Sequence, residues 1–358
     1  MESVPHGRES SMQQQPNNDA ASGAVYVQTN AAPNEVIAFR RAGDGSLDRI
    51  GSVATGGEGD RSPHLQSQGS VALTRDGRHL LVTNAASDDL SVFSVASDGS
   101  IELRDRVHTG ATPRSVAEHD GLVVVLNTGQ PGLASFRLHA DGIEPVAGGD
   151  QAFAASDADP AQVAFSLDGS MLVVTERGTD SIVTYEVAPD GTFGTSRTIA
   201  SEGPTPYGFA ITSGGTLVVT EAFRAEKGAA AASSYAIEDG SLVPRTSSVG
   251  NGRSEICWVV VTPDDRFAFT TNYADGAVSR FAIASDGTLS LEDATAGVSV
   301  DVQPGLRDED LSRDGRFLYA IDADGGRIYG WSVGAEGSLE PVGSWGGLPA
   351  TVAGLAAS

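Results

Sequence analysis

A ten-residue phrase that recurs along the chain constrains its fold more than any other feature. It reads RDGRHLLVTN from Arg75 to Asn84, a polar turn before a short apolar run that ends in a small polar residue. Asp-Gly supplies the positive φ angles of a tight turn, and the aliphatic run behind it is typical of a buried strand. The related phrases are LDGSMLVVTE (167–176), SGGTLVVTE (213–221), PDDRFAFTTN (263–272), RDGRFLYAID (313–322) and the weaker HDGLVVVLN (119–127).

A second kind of turn occurs seven times, against six for the first kind. It begins at Asp44-Gly45, and the further copies start at Asp98, Asp141, Asp190, Asp239, Asp286 and Glu336, each followed by Gly. The resulting unit is strand, first turn, strand ending in Asn or Glu, short loop, strand, second turn, strand. Four antiparallel strands in roughly 45–50 residues predict one blade of a β-propeller.

The first kind of turn occurs once less often than the second kind, and this difference predicts how the ring of blades closes. The first unit begins with AVYVQTN (24–30) and lacks the first turn, while ATVAGLAA (350–357) at the other end is a strand without a partner. We therefore predict an all-β fold over residues 23–358, a seven-bladed β-propeller of four-stranded antiparallel blades. The C-terminal strand would join the N-terminal blade and remove the open sheet edges.

Composition and the first residues limit location and partners. Residues 1–22 are polar and contain no apolar signal region, so we expect a disordered, dispensable N-terminal tail and a cytoplasmic protein. No apolar run approaches 18 residues, so we expect no membrane partner. A net charge of −24 argues against nucleic acid as a partner. A closed ring needs no second copy, so we expect a monomer.

Metal and cofactor sites are not indicated by the sequence. Cys257 is the one cysteine, which excludes an internal disulfide and a multi-cysteine metal site. The histidines have no metal-site spacing, and no nucleotide-binding or dinucleotide-binding motif is present. We therefore expect neither a metal nor a cofactor, and we expect Cys257 to be a buried, inert thiol.

The repeated phrases resemble those of the seven-bladed β-propeller lactonase family. Asp314–Tyr319 (DGRFLY), Val82–Asn84 (VTN) and the Asp-Gly-Ser-Leu turns carry the resemblance, which covers nearly the whole chain after the tail. The family includes propeller-type 6-phosphogluconolactonases and carboxymuconate lactonizing enzymes. The resemblance implies the same fold, and it implies an active site of His, Arg and Glu at the mouth of the central channel.

The motif that the family uses for catalysis is degraded in this chain. Pro160-Ala161-Gln162 stands where the family shows Pro-Arg-His, and Arg177 falls on the family's Glu position. Arg114 stands where family members often carry His, while Arg307 keeps an arginine in the corresponding place. The resemblance thus implies a charged channel mouth that lacks the family's own catalytic set.

A candidate site follows from propeller geometry, because the starts of the inner strands and the loops after the second strands share one face. Lactone hydrolysis needs a base to activate water and cations to hold the oxyanion, and arginine binds carboxylate or phosphate with two parallel hydrogen bonds. We predict a lactonase-like hydrolase that opens a small anionic, sugar-acid type lactone at the mouth. The candidate bases are Glu176, Glu221 and Glu255, and the candidate substrate-binding residues are Arg114, Arg177, Tyr207, Asn272 and Arg307.

Two other interpretations stay open at this point. The protein could be a non-catalytic ligand-binding or scaffold propeller, or its mouth charges could form a structural ion-pair network that fills the channel. The segment Arg307–Asp310 (RDED) interrupts what should be an apolar inner strand, and acids there must face the channel or each other. The alanine-rich segment 221–234 is either a short lid over the mouth or a simple surface insertion.

Overall fold

The computed structural model describes residues 23–62, 67–140, 142–299 and 303–358. Within them the chain forms twenty-eight strands and two short 3-10 turns, Phe223–Ala225 and Tyr273–Asp275. The predicted tail, residues 1–22, lies outside the described residues. No helix in the described part of the chain is long and apolar enough to cross a membrane.

The strands are numbered in chain order and group into seven blades. The first four blades contain β1 (Gly23–Gln28), β2 (Glu35–Arg41) and β3 (Leu47–Ala54); β4 (Val71–Leu73), β5 (His79–Asn84), β6 (Asp89–Val95) and β7 (Ile101–His108); β8 (Pro113–His119), β9 (Leu122–Asn127), β10 (Gly132–His139) and β11 (Gly142–Ala152); and β12 (Pro160–Phe165), β13 (Met171–Glu176), β14 (Ser181–Val187) and β15 (Phe193–Ala200). The last three contain β16 (Pro206–Ile211), β17 (Thr216–Glu221), β18 (Ala231–Glu238) and β19 (Ser241–Gly250); β20 (Ile256–Val261), β21 (Phe267–Asn272), β22 (Ala277–Ile283) and β23 (Leu289–Val298); and β24 (Leu306–Leu311), β25 (Phe317–Asp322), β26 (Arg327–Val333) and β27 (Leu339–Gly346).

Blade 1 obtains its fourth strand from the end of the chain, so the predicted fold is confirmed. Strand β28 (Ala353–Ala357) is the inner strand of the sheet β28-β1-β2-β3, and the other six sheets each use four consecutive strands. The antiparallel register places Val25 opposite Ala357 and Val27 opposite Leu355. The Ser358 N–H adds a hydrogen bond of 2.9 Å to the carbonyl oxygen of Ala24.

Both repeated turns are stabilised by their aspartates. In the first kind, the Asp76 carboxylate accepts a hydrogen bond from the Arg78 N–H at 2.9 Å, and Gly77 has a φ of +70°. In the second kind, the Asp98 carboxylate accepts hydrogen bonds from the N–H and the hydroxyl of Ser100, at 2.9 and 2.6 Å. These are the local bonds that favour Asp in turns, which is why the pattern could be recognised in the sequence.

The second turn also joins neighbouring blades, through the carbonyl oxygen of its glycine. The Tyr26 hydroxyl of blade 1 donates to Gly99 of blade 2 at 3.0 Å, and the Tyr319 hydroxyl of blade 7 donates to Gly45 of blade 1 at 2.7 Å. The same device joins three other pairs of neighbours, Ser135 with Gly191, Thr184 with Gly240 and Ser234 with Gly287. In these five pairs, a side chain of one blade therefore bonds to the second turn of the next blade.

The core lies between the blades rather than at one centre. One apolar cluster, for example, packs Val25 and Phe39 of blade 1 against Tyr319 and Ile321 of blade 7. Because the strands of each blade alternate in direction, all inner strands begin on the same face of the ring. That face, called the mouth, also carries the loops between second and third strands.

We expect removal of residues 351–358 to cause aggregation or a large loss of thermal stability. The deletion removes β28, exposes the edge of β1 and uncovers apolar side chains of blades 1 and 7. Thermal unfolding followed by circular dichroism, with light scattering for aggregation, measures the effect. Removal of residues 1–22 is the matched control, since β1 begins at Gly23. A C-terminal truncation that melts like the full chain would show that closure contributes little.

Candidate functional site

A cavity of about 300 Å³ opens at the mouth, where blades 4 to 7 meet. It is formed by the first residues of the inner strands β16, β20 and β24 and by the loops that follow β13, β17 and β21. The side chains that give it chemical character are Arg177, Tyr207, Glu255, Trp258, Tyr273 and Arg307. Its volume is at the lower end of the range for small-molecule sites.

Two arginines of the cavity are held over aromatic rings. The guanidinium carbon of Arg177 lies 4.8 Å from the Tyr207 ring centre, and that of Arg307 lies 4.4 Å from the Tyr273 ring centre. Arg177 also pairs with the Asp159 carboxylate at 2.6 Å. Cation–π contacts of this kind fix the guanidinium planes and preorganise them for a planar anion.

Burial strengthens the field of these cations. The Arg307 residue is only 4% exposed, and desolvation lowers the pKa of its guanidinium, opposed by the charges of Asp308 and Asp324. In a poorly solvated site a fixed charge acts more strongly on a bound ligand than it does in water. The cavity therefore presents fixed positive charge beside aromatic surface.

Glu255 places a carboxyl group in the same cavity. It immediately precedes β20 and has a φ of +55°, and the residues before β8, β12 and β16 share this left-handed conformation. The carboxylate makes no hydrogen bond or ion pair with any residue that the structure describes. Burial raises the pKa of Glu255 above its usual range, and the nearby Asp275 raises it further. A carboxylate of this kind is suited to accept a proton.

Cys257 lines the cavity but is a poor nucleophile. Its thiol donates a hydrogen bond to the Glu255 carbonyl oxygen at 3.3 Å. Burial raises the pKa of the thiol far above its ordinary value, and the charges of Glu255 and Asp308 act in the same direction. The thiolate, which is the reactive form, is therefore disfavoured.

The structure brings four of the eight predicted residues together in this cavity: Arg177, Tyr207, Glu255 and Arg307. Glu176, Glu221 and Asn272 lie outside it, each as the last residue of a second strand. Glu221 is fully buried, and its carboxylate accepts hydrogen bonds from the Ser233 hydroxyl at 2.5 Å and the Ser248 hydroxyl at 2.6 Å. Burial nevertheless raises the pKa of Glu221. These contacts make it a structural residue of blade 5.

Glu176 and Asn272 have the same kind of role. The Glu176 carboxylate accepts a hydrogen bond from the Thr179 hydroxyl at 2.7 Å, and burial raises its pKa. The Asn272 amide accepts from the Asn251 side chain at 2.8 Å and donates to the Ser279 hydroxyl at 2.9 Å. Neither residue lines the cavity.

Arg114 belongs to a different part of the mouth. Its guanidinium pairs with the Asp60 carboxylate at 3.1 Å, and the same carboxylate group accepts a hydrogen bond from the Asn30 side chain at 2.9 Å. This pair attaches blade 3 to the long connection between blades 1 and 2. Arg114 does not line the cavity of about 300 Å³.

A positional rule in the repeat separates the structural side chains from those at the mouth. The last residue of each second strand is buried and hydrogen-bonded, whereas the next residue faces the mouth in blades 4 and 6, as Arg177 and Tyr273 do. An alignment of the seven repeats with one another would reveal this rule from the sequence alone. The residues that end the second strands are Gln28, Asn84, Asn127, Glu176, Glu221, Asn272 and Asp322.

The central channel begins below the cavity and holds a second space of about 360 Å³. Trp258 lines both spaces. The Gln68 side chain reaches across the ring from blade 2 to blade 6: its amide donates to the Val259 carbonyl oxygen at 3.0 Å and accepts from the Val259 N–H at 3.2 Å. A Cβ atom on Gly208 would lie 2.3 Å from the Gln68 side-chain oxygen, so this crossing requires glycine there.

Three consecutive acids of β24, Asp308 to Asp310, line the channel. Burial raises the pKa of Asp308 to about 7 and that of Asp310 to about 7. Glu309 occupies a register position that is apolar in blades 2 to 6, and burial raises its pKa well above the usual value. One Glu309 oxygen accepts the Thr271 N–H at 3.1 Å, and the other, Oε2, is buried without a protein partner. The residues at the equivalent positions are Val71, Val116, Val163, Phe209 and Val259.

Comparison with known proteins gives a family and a set of similar folds. The model of the family described as "Lactonase, 7-bladed beta-propeller" matches residues 22–145, 140–224 and 219–349. No match was found among curated protein sequences. The solved structures described next are less than 25% identical to the chain, so they bear on its fold alone.

Three of these structures illustrate the similarity. A candidate 6-phosphogluconolactonase of Bacteroides fragilis is 17% identical, with a TM-score of 0.72 over 96% of this chain and 100% of that one. The periplasmic gluconolactonase PpgL of Pseudomonas aeruginosa is 18% identical, with a TM-score of 0.69 over 94% and 98% of the two chains. A protein of Lactobacillus plantarum is 14% identical, with a TM-score of 0.73 over 94% and 99%.

We expect Glu309→Gln to raise the melting temperature at pH 8. Because the folded-state pKa of Glu309 is raised, its contribution to stability is complete below the ordinary pKa of Glu and is lost as the pH rises through the raised value. Replacing the acid by the amide should stabilise the fold at pH 8 by about 1–3 kcal/mol and flatten the decline in stability above pH 5. Thermal unfolding between pH 5 and 8 measures this.

Glu340→Gln is the control for this prediction, because that glutamate is exposed on β27. It should leave the pH profile unchanged. A Glu309→Gln variant that melts lower than the wild type at pH 8 would show that the carboxylate has a stabilising partner.

Proposed function

The chain belongs to the family of seven-bladed β-propeller lactonases, and on this basis we propose that it hydrolyses a small anionic lactone of the sugar-acid type in the mouth cavity. One observation carries the proposal. The carboxylate of Glu255 shares a cavity of about 300 Å³ with the two buried, aromatic-stacked arginines, Arg177 and Arg307. A base and fixed cations are the two requirements of lactone opening.

Glu255 is assigned the role of general base. Its carboxylate takes a proton from a water molecule as the water oxygen bonds to the lactone carbonyl carbon. The tetrahedral intermediate carries a negative oxygen, which the arginines stabilise. When the ring C–O bond breaks, the proton passes from Glu255 to the leaving alkoxide. The product is the hydroxy acid, and Glu255 is again a carboxylate.

The arginines and aromatic residues are assigned to binding. Arg177 and Arg307 supply the charge that attracts the anionic lactone and stabilises the oxyanion, and Arg307 has the stronger effect because it is the more deeply buried cation. Tyr207, Trp258 and Tyr273 contribute aromatic side chains to the wall of the cavity, and the Tyr207 and Trp258 ring centres lie 5.5 Å apart. This combination suits a compact ring with hydroxyl groups at its edge.

A binding protein without turnover is the second candidate function. It is favoured by Arg177, which stands where the family resemblance implies a glutamate. A panel of sugar-acid and muconate lactones separates the two candidates, because an enzyme consumes the lactone and a binding protein retains it unchanged. The cytoplasmic location and the monomeric state stay predictions, which cell fractionation and light scattering would check.

We expect Glu255→Gln to lower kcat by about 100-fold or more with little change in substrate affinity, since an amide cannot accept the proton. In the wild type, kcat/KM should fall as the pH drops through the raised pKa of Glu255, at a higher pH than an ordinary glutamate would give. Steady-state kinetics between pH 4 and 8 measure both effects.

Glu176→Gln is the matched control, because it makes the same change in a buried glutamate outside the cavity. It should keep the wild-type kcat. Loss of turnover in Glu176→Gln with full activity in Glu255→Gln would reverse the assignment.

We expect Arg307→Ala to weaken binding of an anionic lactone by about 2–5 kcal/mol, because a desolvated charge partner is lost. Calorimetric titration with the hydroxy-acid product measures the affinity directly. Arg114→Ala is the control, since Arg114 also lies at the mouth but pairs with Asp60 outside the cavity. Equal effects of the two substitutions would mean that the ring's general charge, rather than this cavity, attracts the ligand.

A further inference from the structure

Glu309 is the least expected side chain of the central channel. It takes a register position on its inner strand that Ala356 fills in blade 1 and that apolar residues fill in blades 2 to 6. The residue is only 4% exposed, so bulk water contributes little to its solvation. A carboxyl group at such a position costs free energy unless a partner completes its bonding.

The two oxygens of the Glu309 carboxylate differ in their bonding. Oε1 accepts a hydrogen bond from the Thr271 N–H of β21 at 3.1 Å. Oε2 is buried and has no hydrogen-bond partner among the residues that the structure describes. Glu309 is also one of the residues that line the channel space of about 360 Å³. A hydrogen-bond donor within this space can therefore complete the bonding of the carboxylate.

The charges around Glu309 oppose its ionisation, whereas an arginine aids the ionisation of each flanking aspartate. Burial raises the pKa of Asp308, and the charge of Arg307 opposes that rise. Burial also raises the pKa of Asp310, and the charge of Arg313 opposes it. Burial raises the pKa of Glu309 too, but there the charges of Asp310 and Asp308 add to the rise. A cation beside Glu309 is therefore attracted by three acidic groups.

The other walls of the channel are largely apolar. A space of about 360 Å³ is far larger than a single ion needs, and it falls within the range of small-molecule sites. Apolar walls favour the burial of hydrocarbon groups. The shape and lining of the channel therefore suit a ligand with a carbon chain as well as a charge. The apolar lining includes Val71, Val116, Val163, Val260 and Leu355.

The acids of the channel are not arranged to hold a metal ion. The Asp310 carboxylate accepts the Ala357 N–H at 2.9 Å and so turns toward β28, whereas the Glu309 carboxylate turns toward β21. In the described part of the chain, no group of three or more His, Cys, Asp or Glu side chains is placed to bind a metal. Calcium and magnesium ions need several oxygen ligands at once, whereas an ammonium group needs only acceptors for its N–H bonds.

We infer that the central channel binds a small primary alkylammonium ion, with an N–H group on Glu309 Oε2 and its carbon chain along the apolar walls. Such an ion supplies the donor that the carboxylate lacks, offsets the acidic charge and buries its carbon atoms. The site is distinct from the mouth cavity. The inference therefore stands whether or not the mouth cavity opens a lactone.

The first test follows thermal unfolding of the wild type at pH 8 with increasing n-butylammonium chloride. Phosphate buffer is used, because Tris is itself a primary amine. We expect the melting temperature to rise and then to saturate, since a ligand that binds only the folded state stabilises it. Potassium chloride and tetramethylammonium chloride at equal ionic strength are the controls for screening in a chain of net charge −24. Neither should reproduce the effect, because neither cation has an N–H group.

Glu309→Gln separates binding from a purely structural role, because it removes the charge and keeps the shape. Without the amine this variant should melt higher than the wild type at pH 8, as predicted above. It should nevertheless bind n-butylammonium about tenfold more weakly or worse, since the charge-assisted hydrogen bond is lost. Glu340→Gln, which changes an exposed glutamate of β27, should respond to the amine as the wild type does.

A series of amines tests the apolar walls on the wild type alone. Calorimetric titration compares methyl-, propyl- and butylammonium. Each additional CH₂ group should strengthen binding about threefold to fourfold while it lies against the walls. The neutral analogue n-butanol should bind far more weakly than n-butylammonium, because it lacks the charge that the acids attract.

Several results would overturn the inference. A wild type that n-butylammonium stabilises no more than tetramethylammonium does has no such site. Equal binding of n-butanol, or full amine binding by Glu309→Gln, would show that the carboxylate does not bind the ligand. Stabilisation by Mg²⁺ or Ca²⁺ that Glu309→Gln abolishes would make the channel a metal site instead. A wild type that binds the amine but opens no lactone contradicts the proposed function and leaves this inference standing.

Discussion

The pairing of β28 with β1 is the interaction on which the rest of this structure depends. It converts an open row of sheets into a ring, and only in a ring do the inner strands of all seven blades begin at one mouth. Five of the seven contacts between neighbouring blades include a similar hydrogen bond, such as the one from the Tyr26 hydroxyl to the second-turn glycine of the next blade. The arrangement of the mouth thus depends on the pairing of the first and last strands of the described chain within blade 1.

The residues that line the mouth lie at the ends of strands, where the backbone can depart from the extended conformation. Glu255 has left-handed φ just before β20, and Arg224 lies in a left-handed turn just after β17. Such conformations are costly for residues with a Cβ atom, and the surrounding hydrogen bonds maintain them. The rigid ring therefore supplies the contacts that hold side chains in a cavity no single blade could form.

The central channel contains three acidic side chains that do not favour the stability of the fold. Glu309 replaces an apolar residue that blades 2 to 6 use, it lies between two further acids, Asp308 and Asp310, and burial raises the pKa of all three. Such groups cost free energy unless their bonding is complete, and Glu309 keeps one buried oxygen without a protein partner. Their charge also acts on the mouth above, since Asp308 opposes the lowered pKa of Arg307.

The sequence by itself determined the blades, their number and the closure, because Asp-Gly turns and short apolar runs are local features with local causes. It also placed Arg177, Tyr207, Glu255 and Arg307 at the mouth. Only the tertiary structure decided which mouth residues share a cavity. Glu221 and Glu255 are both glutamates at strand ends, yet the Glu221 carboxylate accepts hydrogen bonds from Ser233 and Ser248 in the two outer strands of blade 5, whereas Glu255 lines the cavity. The physical reason is that the direction of a side chain at a strand end depends on the register between strands and on the packing of neighbouring blades. The sequence of a single repeat does not contain this information.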